Sequence, residues 1–359
     1  MIDRTYKIAL IPGDGIGHEV VPAAVTVLEK VGAKHGFAFE WSEFDWSCER
    51  YSKLGDMMPE DGPEQLADFD GIFLGAVGYP GVADHISLWG LLIPIRRAFD
   101  QYANVRPLKL FEGVDSPLQG RVAGDIDLVI VRENAEGEYS RMGGRLYEGT
   151  AREMVIQESV FTRHGVDRIL RHAFEIASKR AAEQNRKGRV TSATKSNGII
   201  HTMPYWDERF AAMAEQYPHV ETDQFHIDIL SAHFVQHPDW FDVVVGSNLF
   251  GDILSDLGAA VVGGMGLAPA ANLNPAGEFP SMFEPVHGSA PDIAGKAIAN
   301  PIAQIWTGAM MLDHLGEGAA AGDIESSITT VLADRSVRTP DLGGQADTGS
   351  LAQAIADAL

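Results

Sequence analysis

The sequence predicts an α/β fold, because short apolar strands alternate with amphipathic helices along the chain. The 359 residues are enough for two domains. A glycine-rich turn, PGDGIG at residues 12–17, joins the first strand to the first helix. It lacks both Gly-x-Gly-x-x-Gly and Gly-Lys-Ser/Thr, so by itself it is weak evidence for a phosphate site. Tight packing between strand and helix also explains it.

The individual elements follow from apolar runs and from the spacing of apolar residues. Strands are predicted at residues 7–12, 69–77, 127–134, 189–195 and 241–245. Helices are predicted at residues 18–36, 165–184 and 298–316, the last with Pro301 early and Gly316 at its end, and from about Leu249 onward. Residues 145–161 alternate in strand fashion, which predicts a hairpin suited to serve as a dimer arm at about residues 140–162.

Composition excludes several classes of protein. A net charge of −22 argues against a nucleic-acid partner, which would require a basic face. With Cys48 as the single cysteine, neither an intrachain disulfide nor a thiolate zinc site is possible. The amino terminus has no signal-peptide pattern, and no uncharged apolar run is long enough to span a membrane. We therefore expect a cytoplasmic protein without a membrane partner.

Asp252 and Asp256 lie four residues apart in NLFGDILSD, a segment with little other charge. On a helix they would share one face, where two like charges repel by roughly 0.2–0.5 kcal/mol. Both acids follow a buried strand, and open α/β sheets bind ligands at that edge. A solvated helix face and a site for a divalent cation explain the pair about equally well.

Three arginines are candidates for binding an anion: Arg96 in IPIRRAFDQY, Arg106 in ANVRP and Arg132 in VREN. The last two lie in or beside apolar strands, where an unpaired guanidinium is costly. Together the three suit a dianionic substrate, because Arg binds carboxylate groups bidentately. Taken singly, each is explained more simply by a structural ion pair.

Other candidate residues stand at the ends of predicted strands. Tyr139 in ENAEGEYS and Lys195 in SATKSNG are able to transfer protons if a metal ion or burial lowers their pKa, although such positions are usually just surface. Asp228 in FHIDIL is a candidate third carboxylate beside Asp252 and Asp256. Ligands that are all oxygen select Mg²⁺ or Mn²⁺ over zinc.

The most distinctive stretch is EPVHGSAPDIAGKAIANP, residues 284–301. Small residues in HGSAP allow the backbone to approach a ligand closely, and Asp292 is able to accept hydrogen bonds from ribose hydroxyls. Pattern rules alone leave this stretch as a loop of unknown purpose.

Taken in order, six motifs resemble the metal-dependent β-decarboxylating dehydrogenases: IPGDGIG, YANVRP, VREN…GEYS, ATKSN, SNLFGDILSDLG and FEPVHGSAPDIAGKAIANP. The resemblance covers essentially the whole chain. DHISLWG, VRENAEGEYS, ATKSNG and MPYWDERF are most similar to the D-malate and tartrate branch of that family. The resemblance implies an open α/β/α sheet of the isopropylmalate dehydrogenase type that is not a Rossmann fold, consistent with the missing glycine fingerprint.

The resemblance also implies how the chain is organised. Residues 1–100 and 255–359 would form a cofactor-binding domain, and residues 101–254 a central domain with the dimer interface and the arm. Each active site of a homodimer would be completed by Lys195 and Asp228 of the partner subunit. Whether two dimers associate into a tetramer stays open.

Roles for the site residues follow from the same resemblance. Asp252 and Asp256, with Asp228 of the partner subunit, would hold Mn²⁺ or Mg²⁺. Lys195 would take the hydroxyl proton as hydride passes to NAD, and Tyr139 would protonate the enol. A small dianionic 2-hydroxy acid would be bound by Arg96, Arg106, Arg132, Trp89 and Leu92. NAD would be bound by His287, Gly288, Ser289, Ala290, Asp292, Asn300 and Asn197. A monovalent cation as activator stays open.

The expected substrate is D-malate, which would be oxidised and decarboxylated to pyruvate. Trp89 stands about where isopropylmalate dehydrogenases carry an acid, and a bulky indole favours a small C4 diacid. Tartrate and 3-isopropylmalate are the alternative substrates. A non-catalytic regulatory paralogue is a remote alternative, because such a protein would be expected to lose a metal ligand, Tyr139 or Lys195.

Overall fold

The computed structural model describes residues 4–359. Its strands are β1 (Arg4–Gly13), β2 (Phe37–Glu43), β3 (Gly71–Ala76), β4 (Ala103–Lys109), β5 (Asp127–Glu133), β6 (Gly143–Leu146), β7 (Met154–Gln157), β8 (Arg189–Thr194), β9 (Glu221–His226), β10 (Val243–Gly246), β11 (Pro269–Leu273) and β12 (Ser281–Pro285). Its α-helices are α1 (Gly17–His35), α2 (Cys48–Leu54), α3 (Gly62–Leu66), α4 (Asp84–Ser87), α5 (Ile93–Ala98), α6 (Arg163–Gln184), α7 (Thr202–Ala214), α8 (Ile227–Gln236), α9 (Asn248–Val261), α10 (Ile302–His314), α11 (Gly318–Ala333) and α12 (Thr348–Asp357). A π-helical turn (Leu88–Leu92) separates α4 from α5. The predicted α/β class is confirmed.

The predicted helix over residues 298–316 is too long, because α10 begins only at Ile302. Pro301 directly precedes the helix, and proline disfavours helical geometry in the residue before it. The side chain of Asn300 instead accepts a hydrogen bond from the Ile302 backbone N–H at 3.0 Å. Asn300 therefore belongs to the loop that leads into α10.

The chain divides into two compact units, and unit 1 comprises residues 4–101, 105–127 and 258–359. Five of its strands lie in the order β2-β1-β3-β12-β11. They pair in parallel except for the antiparallel pair β11–β12. Helix α10 is mostly apolar and ten of its 13 residues are buried, as expected of a helix inside a core.

Unit 2 comprises residues 102–104 and 128–257. Its strands lie in the order β5-β10-β8-β9 and are all parallel. The three-valine strand β10 is fully buried at the centre, as the continuous apolar run predicts. That the two units bind the cofactor and form the dimer, respectively, stays a prediction.

Strands β6 and β7 form the predicted hairpin, an antiparallel pair in which Gly143 faces Gln157. The hairpin exposes the apolar side chains Leu146, Tyr147, Met154, Val155 and Ile156. Its use as a dimer arm stays a prediction. Among residues 4–359, no helix combines the length and the apolar character needed to cross a lipid bilayer.

Candidate active site

In unit 2, helix α9 starts at the same sheet edge at which strand β5 ends. Strands β5 and β10 are parallel neighbours, and their register places Gly246 opposite Arg132. The chain leaves β10 through Ser247 and begins α9 at Asn248. Arg132 and the first turns of α9 therefore meet at the carboxyl edge of the strands, where open α/β sheets bind ligands.

Arg132 is buried and is oriented by side chains of α9. Its Nε and Nη2 atoms donate to Asn248 Oδ1 at 3.1 and 2.7 Å. Its Nη1 atom donates to the carboxylate of Asp252. The guanidinium carbon also lies 5.5 Å from the centre of the Tyr139 ring. These contacts fix the direction in which Arg132 presents its charge.

Tyr139 contacts the same carboxylate. Its hydroxyl donates to Asp252 Oδ2 at 2.9 Å. Burial, followed by the charge of Asp252, raises the pKa of Tyr139 above its ordinary value. The phenol therefore keeps its proton at neutral pH, which suits a general acid rather than a base.

The face of α9 that carries Asp252 repeats every four residues as Asn248, Asp252 and Asp256. Asp252 is partly exposed and Asp256 is exposed. Carboxylate oxygens such as theirs are the ligands that Mg²⁺ and Mn²⁺ prefer. Within residues 4–359, no three His, Cys, Asp or Glu side chains come close enough to hold a metal ion. Asp228 of the same chain therefore does not complete this set.

Lys195 and Asp228 contact each other instead. Strands β8 and β9 are parallel and pair Thr194 with His226, so the residues that follow them emerge side by side. Lys195 Nζ donates to Asp228 Oδ1 at 2.8 Å. This hydrogen bond lowers the pKa of Asp228. Asn197 lies exposed in the turn just after Lys195.

In unit 1, Arg96 forms a buried ion pair. Its Nη2 atom donates to Glu284 Oε1 at 2.6 Å, and Asn272 Nδ2 donates to the same oxygen at 2.7 Å. Glu284 opens the EPVHGSAP stretch, so the structure ties this arginine to that motif. Arg106 lies in β4 and is also buried. Binding of substrate by either arginine stays a prediction.

Trp89 and Leu92 lie in the π-helical turn between α4 and α5, and both are half-buried. The guanidinium carbon of Arg97 lies 4.9 Å from the centre of the Trp89 ring, a cation–π distance. A π-helical turn adds a residue to the usual helical repeat and is frequent at functional sites. This local geometry distinguishes the segment from an ordinary helix.

The IPGDGIG and HGSAP loops of unit 1 pack against each other. Ile16 N donates to the carbonyl oxygen of Ser289 at 2.9 Å. Gly15 has a φ of +55°, and a Cβ there would come within 2.1 Å of that same oxygen. The IPGDGIG turn therefore packs directly against HGSAP, a contact that neither motif reveals alone.

His287 offers an unused polar atom in this region. Its Nδ1 lies 3.0 Å from the Gly288 carbonyl oxygen, whereas its Nε2 is buried without a hydrogen-bond partner. Burial lowers the pKa of His287, so the ring is neutral at pH 7. Gly288 and Asp292 are exposed nearby in sequence, and Ala290 adopts a φ of +41°. An orphaned ring nitrogen beside a glycine-rich loop fits a polar cofactor.

Three residues that orient candidate side chains were not predicted from the sequence: Asn248 and Glu138 in unit 2, and Glu284 in unit 1. Asn248 orients Arg132, the Glu138 carboxylate accepts from Ser247 Oγ at 2.8 Å, and Glu284 pairs with Arg96. The four-residue spacing from Asn248 to Asp252 was a signal for the first of them. Glu138 and Glu284 lie far along the chain from their partners, Ser247 and Arg96.

This fold, together with the family that the sequence matches, defines a decarboxylating dehydrogenase. The isocitrate/isopropylmalate dehydrogenase family matches residues 7–359, and the chain belongs to that family. Members of the family typically use NAD(P) and a divalent metal ion, act on hydroxy acids and are often dimeric.

The chain is similar to two proteins with related names. It is 59% identical over 359 residues to the D-malate dehydrogenase [decarboxylating] of Escherichia coli (strain K12), covering 98% of both chains. It is 58% identical over 364 residues to a tartrate dehydrogenase/decarboxylase of Pseudomonas putida, covering 99% of this chain and 98% of that one.

A solved structure supports the fold over almost the whole chain. The isocitrate dehydrogenase from Methylococcus capsulatus aligns with a TM-score of 0.86 and 38% identity, covering 98% of this chain and 99% of that chain. The isopropylmalate dehydrogenase type of α/β/α fold expected from the motifs is thereby confirmed.

Proposed function

We propose that this enzyme oxidises and decarboxylates D-malate to pyruvate and CO₂ with NAD and Mn²⁺ or Mg²⁺. The observation that carries the proposal is the joint contact of Arg132 and Tyr139 with Asp252 at the carboxyl edge of the sheet. An anion-binding group and a proton donor are thus both hydrogen-bonded to one candidate metal ligand. The name of the Escherichia coli relative supports the choice of D-malate.

Arg132 is assigned to binding a substrate carboxylate. It is held by Asn248 and Asp252, so little side-chain entropy is lost when it binds the anion. Arg96 and Arg106 are assigned to the same task. For Arg96 this requires the guanidinium to serve both Glu284 and the substrate, which its five N–H donors permit.

Asp252 and Asp256, with Asp228 of the partner subunit, are assigned as metal ligands. When bound, the cation would act as a Lewis acid on the 2-hydroxy acid, and NAD would accept the hydride. Lys195 of the partner subunit would take the proton of the C2 hydroxyl. The pairing of Lys195 with Asp228 within one chain supports their acting together in the same site.

Tyr139 is assigned to protonate C3 of the enol that remains after CO₂ leaves. Its raised pKa keeps the phenol protonated at neutral pH until that step. The hydrogen bond to Asp252 fixes the direction of the hydroxyl. Protonation by a positioned group contributes typically about 10²–10⁴-fold to a rate.

NAD is assigned to the loop formed by IPGDGIG and HGSAP in unit 1. His287, Gly288, Ser289, Ala290, Asp292 and Asn300 would bind it, and Asn197 would contact the nicotinamide side. The orphaned Nε2 of His287 supports a polar ligand at this loop. Asp292 is exposed and would accept hydrogen bonds from the ribose hydroxyls of adenosine.

Tartrate is proposed as a second substrate, supported by the name of the Pseudomonas putida relative. 3-Isopropylmalate is the third candidate. Trp89 is assigned to the wall of the substrate pocket, where its indole would take space that a branched substituent needs. Leu92 in the same π-helical turn would contribute apolar surface.

The deciding experiment compares kcat/KM for D-malate, L-tartrate, 3-isopropylmalate and isocitrate with NAD and Mn²⁺. We expect D-malate to be the best substrate. One added apolar group changes selectivity by about 10–200-fold, so Trp89→Glu should shift preference toward 3-isopropylmalate by about tenfold or more. Trp89→Phe keeps an aromatic ring and should shift it less. A wild-type enzyme that prefers 3-isopropylmalate would reject the pocket assignment.

A further inference from the structure

Glu138 precedes Tyr139 in the chain, and its carboxylate lies against the start of helix α9. Glu138 Oε1 accepts a hydrogen bond from Ser247 Oγ at 2.8 Å, and Oε2 accepts one from Leu249 N at 3.1 Å. Ser247 is fully buried and immediately precedes the first residue of α9. The carboxylate therefore satisfies a free backbone N–H at the positive end of the helix.

The backbone of the same loop makes a second attachment. Asn248 Nδ2 donates to the carbonyl oxygen of Glu136 at 3.1 Å, while Asn248 Oδ1 accepts from Arg132. Asn248 thus connects the loop to the arginine as well as to α9. The Glu138 side chain and the Glu136 backbone therefore both bind the start of α9.

Tyr139 binds the same helix about one turn further along. Its hydroxyl donates to Asp252 Oδ2 at 2.9 Å. Leu249 and Asp252 are separated by three residues, or about 4.5 Å along a helix axis. Two consecutive loop residues are therefore attached to α9 at two successive levels, which prevents the loop from sliding along the helix.

We propose that Glu138 is a positioning residue that fixes Tyr139 and the carboxylate of Asp252 relative to each other. It acts through Ser247 and the N-terminus of α9 and contacts neither substrate nor metal in this role. This inference rests on the proposed function, because it takes Asp252 and Asp256 as metal ligands and Tyr139 as the proton donor.

The test replaces Glu138 by glutamine, which keeps the size of the side chain and removes its charge. Mn²⁺ binding is measured by electron paramagnetic resonance on the intact protein, without substrate or NAD. Supporting groups around a metal site typically contribute about 10–100-fold in affinity, so we expect Glu138→Gln to weaken Mn²⁺ binding about tenfold or more. At saturating Mn²⁺, kcat for D-malate should fall while KM changes little, because the misplaced group is a proton donor.

Glu136→Gln is the matched control from the same loop. The Glu136 carboxylate accepts from Thr162 N and Thr162 Oγ1, both at 2.8 Å, and so supports the start of α6 rather than α9. The exchange is chemically identical and retains the backbone carbonyl that binds Asn248. We expect the control to lose stability to urea without a change in Mn²⁺ affinity greater than about twofold.

Ser247→Ala tests the route through which Glu138 acts. If Glu138 acts through Ser247, the variant with both Glu138→Gln and Ser247→Ala should lose little more Mn²⁺ affinity than Glu138→Gln alone. The effects of substituting two coupled residues do not add. Independent, fully additive losses would contradict this route.

The outcomes separate this inference from the proposed function. A wild-type protein that binds no Mn²⁺ or does not turn over D-malate overturns the proposed function. Normal wild-type binding and turnover, combined with unchanged Mn²⁺ affinity and kcat in Glu138→Gln, overturns only the role of Glu138. Equal losses in Glu136→Gln and Glu138→Gln would show a general effect of loop stability and would also overturn it.

Discussion

Gly251 of helix α9 lies directly against Arg132 of strand β5. A Cβ atom at Gly251 would come within 2.5 Å of the Arg132 Cβ and within 2.7 Å of its Cγ. Carbon atoms do not approach that closely, so α9 can run this near to β5 only because residue 251 has no side chain. The position of the arginine therefore depends on a glycine that makes no polar contact with it.

We expect Gly251→Ala to displace Arg132 and to raise KM for D-malate about tenfold or more. Overpacking of this kind usually costs about 1–3 kcal/mol of unfolding free energy. Steady-state kinetics and urea unfolding measure both effects. Gly322→Ala in α11 is the control, because a Cβ there meets open space. It should stabilise the protein by up to about 1 kcal/mol and leave KM unchanged.

Asp252→Asn or Asp256→Asn should abolish metal-dependent turnover without unfolding the protein. Asp256→Asn removes one of two like charges on a helix face and relaxes repulsion of roughly 0.2–0.5 kcal/mol. Asp252→Asn also weakens the ion pair with buried Arg132 and should cost stability, but the asparagine oxygen still accepts a hydrogen bond, so the protein should stay folded. Mn²⁺ titration and circular dichroism check the two parts. Asp357→Asn, at an exposed ion pair with Lys30, is the control. Normal activity of either variant at low Mn²⁺ would contradict the metal assignment.

Sharing of the active site between subunits predicts complementation. Lys195→Ala and Tyr139→Phe should each be inactive, yet a mixture that has exchanged subunits should regain part of the activity. In a mixed dimer, one site would contain both an intact Lys195 and an intact Tyr139. Native mass spectrometry confirms that mixed dimers are present. Their presence without any recovery would argue that both groups act in the same subunit.

NAD should be used with a higher kcat/KM than NADP. In its proposed role, the Asp292 carboxylate would accept from two ribose hydroxyls of NAD but would meet the 2′-phosphate of NADP with a like charge. Kinetics with both cofactors measure the ratio, and Asp292→Asn should reduce it by removing the charge. Equal kcat/KM values for NAD and NADP in the wild type would rule out this role for Asp292.

The free energy of unfolding should depend on pH because of Glu133. Burial raises its pKa from the ordinary 4.5 to about 7, so between these values the folded protein binds a proton that the unfolded chain releases. The stabilisation is complete below pH 4.5 and is lost as the pH rises through 7. The free energy of unfolding should therefore fall with rising pH across this window, by up to about 3 kcal/mol from this group.

Glu133→Gln should remove that slope. The glutamine oxygen still accepts from Ala135 N and Glu136 N, which bond to Glu133 Oε1 at 2.7 and 3.1 Å. Urea unfolding at several pH values between about 5 and 8 gives the slope. The exposed Glu64→Gln serves as the control and should keep the slope of the wild type. An unchanged slope in Glu133→Gln would show that Glu133 is not its source.

The sequence predicted those features that depend on residues close together in the chain. The valine run of β10 and the helix that follows it could be read from local pattern, and the four-residue spacing placed Asp252 and Asp256 on one face. The strand predicted at residues 189–195 is confirmed as β8, which ends one residue earlier at Thr194 and so places Lys195 just beyond the strand. The predicted start of the helix at residues 298–316 was wrong, because Pro301 precedes α10 instead of lying within it. Strands β2 and β9 were not predicted.

The alternation of strands and helices, the motifs and their order could all be predicted from the amino-acid sequence. Which side chains meet could not, because it depends on the three-dimensional fold. Asn248 contacts Arg132 across 116 residues of chain, Glu138 contacts Ser247 across 109, and Arg96 contacts Glu284 across 188. Such pairs depend on the order and register of strands in the sheet, and strand register is set by packing throughout the core rather than by local pattern. Each of these contacts is therefore made by the folding of the sheet, between residues whose separate motifs give no sign of their partners.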